Sequence, residues 1–89
     1  MVTRILTMEN GVGLHAGPAS LFVQKASSYK SSIWVEKDDC RVNAKSLLGI
    51  LSLGIVKGTA ITIIADGSDE SEAVNGLSAL INSNFVDNN

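Results

Sequence analysis

A single histidine and a single cysteine give this chain of 89 residues a short inventory of nucleophiles. His15 lies in Gly13-Leu14-His15-Ala16-Gly17-Pro18-Ala19-Ser20, between a run that reads as a strand and one that reads as a helix. Pro18 fits an early helical position, where the missing N–H and the fixed φ are tolerated; placed further in, it would break the helix. The helix therefore starts close to His15. The first N–H groups of a helix lack internal partners and carry the positive end of the macrodipole, so the amides of Ala16 and Gly17 are placed to meet an anion attached to His15. A neutral ring nitrogen is a nucleophile, and a phosphoryl group is the electrophile that such donors favour. On position alone, a lone histidine is more often a cap or loop residue than a chemical one.

The second candidate is Ser46, an N-cap for a short helix from Leu47 to Leu53, with Gly54 where a left-handed residue is wanted. On a helical wheel Leu47, Leu51 and Leu48 fall at about 0°, 40° and 100°, whereas Ile50 and Leu53 fall near 300° and 240°. One core face cannot take all five. With Ile50 and Leu53 inward, Leu47, Leu48 and Leu51 form an exposed apolar patch beside Ser46, the mark of a docking surface.

Cys40 is the only cysteine, so an internal disulfide is excluded and a reducing compartment suits the chain. Cys40 reads as a small apolar strand residue. One cysteine with one histidine makes a poor zinc donor set, and no metal is expected. Charged residues are 18% of the chain and the net charge is −2, so the basic footprint of a nucleic-acid binder is missing. The longest apolar runs, such as Ala60 to Ala65, fall far short of the ~20 residues that span a bilayer, and Met1 to Leu6 lacks the apolar stretch of a secretory signal. A cytoplasmic, soluble protein with no membrane insertion is expected.

Seven elements position these residues. Val2 to Met8 reads as a strand, closed by a turn at Glu9-Asn10-Gly11. Ala19, Phe22, Val23 and Ala26 mark one face of a helix over Ala16 to Ser28. Ser32 to Lys37 and Cys40 to Asn43 make a hairpin about Asp38-Asp39. The Ser46 helix follows, then a strand over Thr59 to Ala65 with Ile61, Ile63 and Ala65 on one face. Asp69 with Glu72 fits a capping box, and Ala73, Val74, Leu77, Leu80 and Ile81 trace the stripe of a last helix, which Gly76 weakens by about 1 kcal/mol. The order β-α-β-β-α-β-α predicts a single α+β domain over residues 1–89, its helices stacked on one face of one sheet. At this length only about 60–65% of the unfolded chain's surface is buried, so the core has to be efficient.

The segment Gly13 to Ser20 resembles the active-site motif of the HPr family, the phosphocarriers of the phosphoenolpyruvate-dependent sugar phosphotransferase system. Asn43-Ala44-Lys45-Ser46-Leu47-Leu48-Gly49-Ile50-Leu51-Ser52-Leu53-Gly54 resembles that family's second motif, and Lys57-Gly58 with the closing strand and helix follows in register. The resemblance covers almost the whole chain. It implies an open-faced β-sandwich with an antiparallel sheet in the order 1-4-2-3 and three helices on one face. It implies that His15 accepts a phosphoryl group on Nδ1 from Enzyme I and passes it to sugar-specific IIA proteins or domains. The chain would then be a covalent relay rather than a stand-alone enzyme, without a cofactor. In Gram-positive-type members a serine at the place of Ser46 is phosphorylated by an HPr kinase/phosphorylase, and the product is a corepressor that acts with a transcriptional regulator in carbon catabolite regulation.

One departure bears on the chemistry. The family motif has an arginine two residues after the histidine, where this chain has Gly17. That arginine supplies a fixed cation and several donors during transfer, and glycine keeps only the backbone N–H. Lys25 is eight residues further along the helix, about 12 Å of rise, and is out of reach. Arg4, Arg41 and Lys45 can substitute only if the fold brings them near. Slower transfer than in a Gly17→Arg variant is expected, and a regulatory protein working mainly through Ser46 is the competing reading.

Overall fold

The computed structural model describes residues 1–9, 13–83 and 85. Its elements are β1 (Val2–Thr7), α1 (Ala16–Ser27), β2 (Ser32–Lys37), β3 (Cys40–Asn43), α2 (Leu47–Ser52), β4 (Ala60–Asp66) and α3 (Glu70–Asn82). All seven expected elements are present, with ends that move by one residue. Of the expected first turn, Glu9 is described, and Asn10 and Gly11 lie outside the described residues.

The strands form one antiparallel sheet in the order β1-β4-β2-β3. Register follows burial, because in a strand of period two a slip of one residue would carry the whole apolar set to the wrong face. Ile63 of β4 stands opposite Arg4 of β1 and Val35 of β2, and Ala65 stands opposite Val2 and Ile33. Ile33, Val35, Ile61, Ile63 and Ala65 thus line the face that receives the helices. Phe22, Ala19 and Ala26 from α1, Ile50 from α2, and Ala73, Val74, Leu77 and Ile81 from α3 close the same core. Each fully buried large side chain contributes about 1.5–3 kcal/mol by leaving water.

On the helix-free face Ile64 is buried, with Trp34 and Thr3 as its cross-strand neighbours. The β2–β3 hairpin turns at Asp38, whose φ of 54° aspartate tolerates well. Cys40 opens β3 opposite Lys37, a strand residue as expected, and its side chain is exposed.

The capping-box reading of Asp69 is also corrected. Asp69 is the N-cap of α3, yet its side chain makes no cap bond. Its carboxylate instead accepts from Ser31 Oγ at 2.5 Å, Ser31 N–H at 2.9 Å and Lys30 N–H at 2.8 Å. Three donors from the α1–β2 connection outcompete one helix amide, and Glu70, not Glu72, reaches back to accept from Gly67 N–H at 3.1 Å.

Candidate functional site

His15 is the N-cap of α1, with an extended backbone (φ −103°, ψ −172°). Its carbonyl accepts the Ala19 N–H at 2.8 Å, while its side chain makes no cap hydrogen bond and the residue is exposed. The imidazole is therefore not spent on the cap. Ala16 and Gly17, the first two helical residues, are exposed, and neither N–H has an acceptor among the described residues. Pro18 has no N–H, so the first turn presents two free donors next to His15 and no acidic side chain to oppose an anion.

The loop before His15 is held from below. Leu14 is buried, and its N–H donates to the Ile55 carbonyl at 2.9 Å. Met8 and the α2–β4 connection add two more bonds, Met8 N–H to Thr59 O at 2.8 Å and Gly58 N–H to Met8 O at 2.6 Å. The segment of residues 55–59 thus forms a platform under Met8, Gly13 and Leu14. Sequence reasoning missed this platform, because its contacts join residues roughly forty to fifty positions apart through backbone atoms that carry no side-chain signature.

Gly17 occupies open space: a Cβ there would meet nothing within 4 Å. The absence of a side chain at this position is therefore not imposed by packing. Three of the cations considered as substitutes are engaged elsewhere. Arg4 donates to Ser78 Oγ at 3.4 Å, Arg41 pairs with Glu36 at 3.3 Å, and Lys45 Nζ donates to the Tyr29 carbonyl at 2.8 Å.

Ser46 is the N-cap of α2 and its Oγ accepts the Gly49 N–H at 3.1 Å. Ile50 and Leu53 are buried, whereas Leu47, Leu51 and above all Leu48, at 81%, are exposed. Leu21 on α1 and Val56 on the platform are exposed as well. A helical wheel of α1 places Leu21 off the Ala19–Phe22–Ala26 stripe, so that signal was available in the sequence. Helix α2 packs against α1 and β3. His15 and Ser46 remain separate sites, each on its own helix N-terminus, and the structure does not bring them into one cluster.

An antiparallel sheet covered on one face by three helices, with an exposed histidine at the first helix N-terminus, defines an open-faced sandwich of the α+β class. The family profile described as "PTS HPr component phosphorylation site" matches residues 2–83. The phosphocarrier protein HPr of Neisseria meningitidis is 45% identical over 85 residues, 96% of each chain. The HPr-like protein Crh of Halalkalibacterium halodurans is 47% identical over 81 residues, 91% of this chain and 96% of that one. The crystal structure of HPr-C-His from Thermoanaerobacter tengcongensis superposes with a TM-score of 0.93 at 50% identity, covering 96% of both chains. The chain belongs to the HPr family of phosphocarrier proteins of the sugar phosphotransferase system.

Proposed function

We propose that this chain carries a phosphoryl group on His15 Nδ1 between Enzyme I and sugar-specific IIA proteins or domains. The observation that carries this reading is an exposed N-cap histidine whose side chain caps nothing, beside two free amides. In the transfer, the Nδ1 lone pair of His15 forms the new P–N bond while the donor's bond to phosphorus breaks and its electron pair returns to the donor. Nε2 keeps its hydrogen, so no protein base is required. The N–H groups of Ala16 and Gly17 receive the phosphoryl oxygens, and Leu47, Leu48 and Leu51 dock the partner. The test is incubation with Enzyme I, phosphoenolpyruvate and magnesium: acid-labile phosphate on His15 is expected, and its absence removes the reading.

A second reading is favoured by Gly17 and by the likeness to Crh proteins as well as to HPr. In it, phosphorylation of Ser46 by a kinase of the HPr kinase/phosphorylase type is the working event, and a transcriptional regulator is the partner. A phosphate there adds about −1.5 to −2 charges at the start of α2, which favours the helix and alters what the adjacent leucine patch attracts. ATP-dependent phosphate on Ser46, with none on His15 from Enzyme I, would select this reading.

A further inference from the structure

We propose that Lys57 is the cation that faces the phosphoryl group on His15, in the role left open by Gly17; the proposal rests on the carrier reading above. The chain has seven lysines and arginines, and the fold disposes of six. Arg4, Arg41 and Lys45 are engaged as described, and Lys37 Nζ donates to the carbonyls of Leu53 at 2.8 Å and Gly54 at 3.4 Å. Lys25 Nζ lies 5.9 Å from the centre of the Tyr29 ring, directed toward the far end of α1. Lys30 follows that end, where Asp69 holds its backbone N–H, about 18 Å of helix away from His15.

Lys57 differs in both respects. It is exposed, its side chain has no hydrogen bond or ion pair among the described residues, and its segment touches the His15 loop. A Cβ on Gly13 would lie 2.8 Å from Val56 Cα, which puts Lys57 Cα within about 8 Å of Gly13 Cα. Lys57 is also fixed at its base. Thr59 N–H donates to Val56 O at 3.1 Å and Val56 N–H to Thr59 Oγ1 at 3.2 Å, closing a four-residue turn with Lys57 second and Gly58, at φ +91°, third. That is the geometry of a type II turn, which needs glycine in the third place. A four-carbon stem rising from that corner delivers a mobile ammonium to the phosphoryl oxygens. Such a point charge neutralises them without the two-pronged geometry of a guanidinium.

The test compares the unaltered protein with Lys57→Gln and Lys57→Arg, using two donors: Enzyme I with phosphoenolpyruvate and magnesium, and phosphoramidate, which transfers its phosphoryl group from nitrogen without a docking surface. Lys57→Gln is expected to slow the appearance of phosphate on His15 about tenfold with both donors, the scale of one solvent-exposed charge acting on a phosphoryl dianion, and Lys57→Arg to restore most of the rate. Slowing with Enzyme I alone would make Lys57 a docking residue and overturn the proposal, as would equal rates with both donors. An unaltered protein that takes no phosphate on His15 from either donor removes the carrier reading and this one together.

Discussion

The backbone of Gly13 lies against that of Ile55: a Cβ at Gly13 would sit 2.5 Å from the Ile55 carbonyl oxygen, the atom that accepts the Leu14 N–H. Gly13 also has φ +62°, which costs an L-residue roughly 1–2 kcal/mol on its own. The β1–α1 connection can be fastened to its platform only because this position has no side chain. Gly13→Ala is therefore expected to lose about 2–3 kcal/mol in urea unfolding and to slow phosphorylation of His15 under conditions where the variant remains folded. Gly17→Ala is the matched control, with an unobstructed Cβ, and should hold or gain up to about 1 kcal/mol. Similar stability of the two variants would mean that the platform yields freely.

Restoring the arginine tests the chemistry without disturbing the fold. A Cβ at Gly17 meets nothing within 4 Å, and arginine is the better helix former by several tenths of a kcal/mol. Gly17→Arg should unfold at the same urea concentration or a higher one, and should accept phosphate from Enzyme I at least about tenfold faster. In that background the further loss from Lys57→Gln should shrink, because two cations serving one anion are not additive. Equal rates for the parent and Gly17→Arg would show that transfer here does not need the charge.

Much of this architecture was legible beforehand because its determinants are local. The alternation of Ile61, Ile63 and Ala65, the stripe of Ala19, Phe22 and Ala26, and the Ser46 cap each lie within a few residues, and each element formed where its pattern stands. The leucine patch followed from the same arithmetic: a helix of six residues and its C-cap Leu53 cannot turn all five of their apolar side chains inward. What escaped were contacts between segments distant in the chain. Asp69 has the sequence neighbourhood of a cap, but the donors of Lys30 and Ser31 arrive from thirty-eight or more positions away and take its carboxylate. Nothing near Gly13 announces Ile55.

Gly76 shows the same limit with a measurable sign. Helix propensity says that Gly76→Ala should stabilise α3 by about 1 kcal/mol. The Tyr29 hydroxyl, however, occupies the place of the missing Cβ, with Tyr29 Cζ 3.0 Å and Lys25 Cε 3.2 Å from it. Gly76→Ala is therefore expected to destabilise by about 1–3 kcal/mol, the usual cost of overpacking. Adding Tyr29→Phe removes the closest atom and should recover part of that loss, so the two changes are non-additive in a double-mutant cycle read by urea unfolding. A stabilising Gly76→Ala would mean that Tyr29 swings aside at little cost.

The docking role proposed for the leucines of α2 can be probed at the most exposed of them. Leu48 is 81% exposed, so Leu48→Glu removes no core contact and places an acidic group in the first turn of α2, where the helix dipole favours it. Its stability should stay within about 0.5 kcal/mol of the parent. Binding to Enzyme I, followed by calorimetry, should weaken about tenfold or more, because a charge would be buried where an apolar group docked. Unchanged affinity would move the docking surface away from α2.

The clasp between Asp69 and the α1–β2 connection makes stability depend on pH in a defined window. The Ser31 hydroxyl, then the Lys30 and Ser31 N–H groups, hold the Asp69 carboxyl down from 3.8 to about 2, against the opposing effect of desolvation. In the unfolded chain these bonds are gone, and Asp69 takes up its proton near the ordinary value. Between about pH 4 and pH 2 the unfolded state therefore binds more protons than the folded one, so the clasp's contribution is complete above that window and is lost as pH falls through it. Glu70 adds a slope of the same sign, lowered by the Gly67 N–H and then by the Met1 amine. Asp69→Asn keeps the shape but has no carboxyl to titrate. Unfolding followed from pH 7 to pH 2 should show the variant less stable at neutral pH and falling less steeply below pH 4, with the residual slope left to Glu70 and the other carboxylates. A variant whose stability falls as steeply as the parent's would place the acid sensitivity outside this clasp.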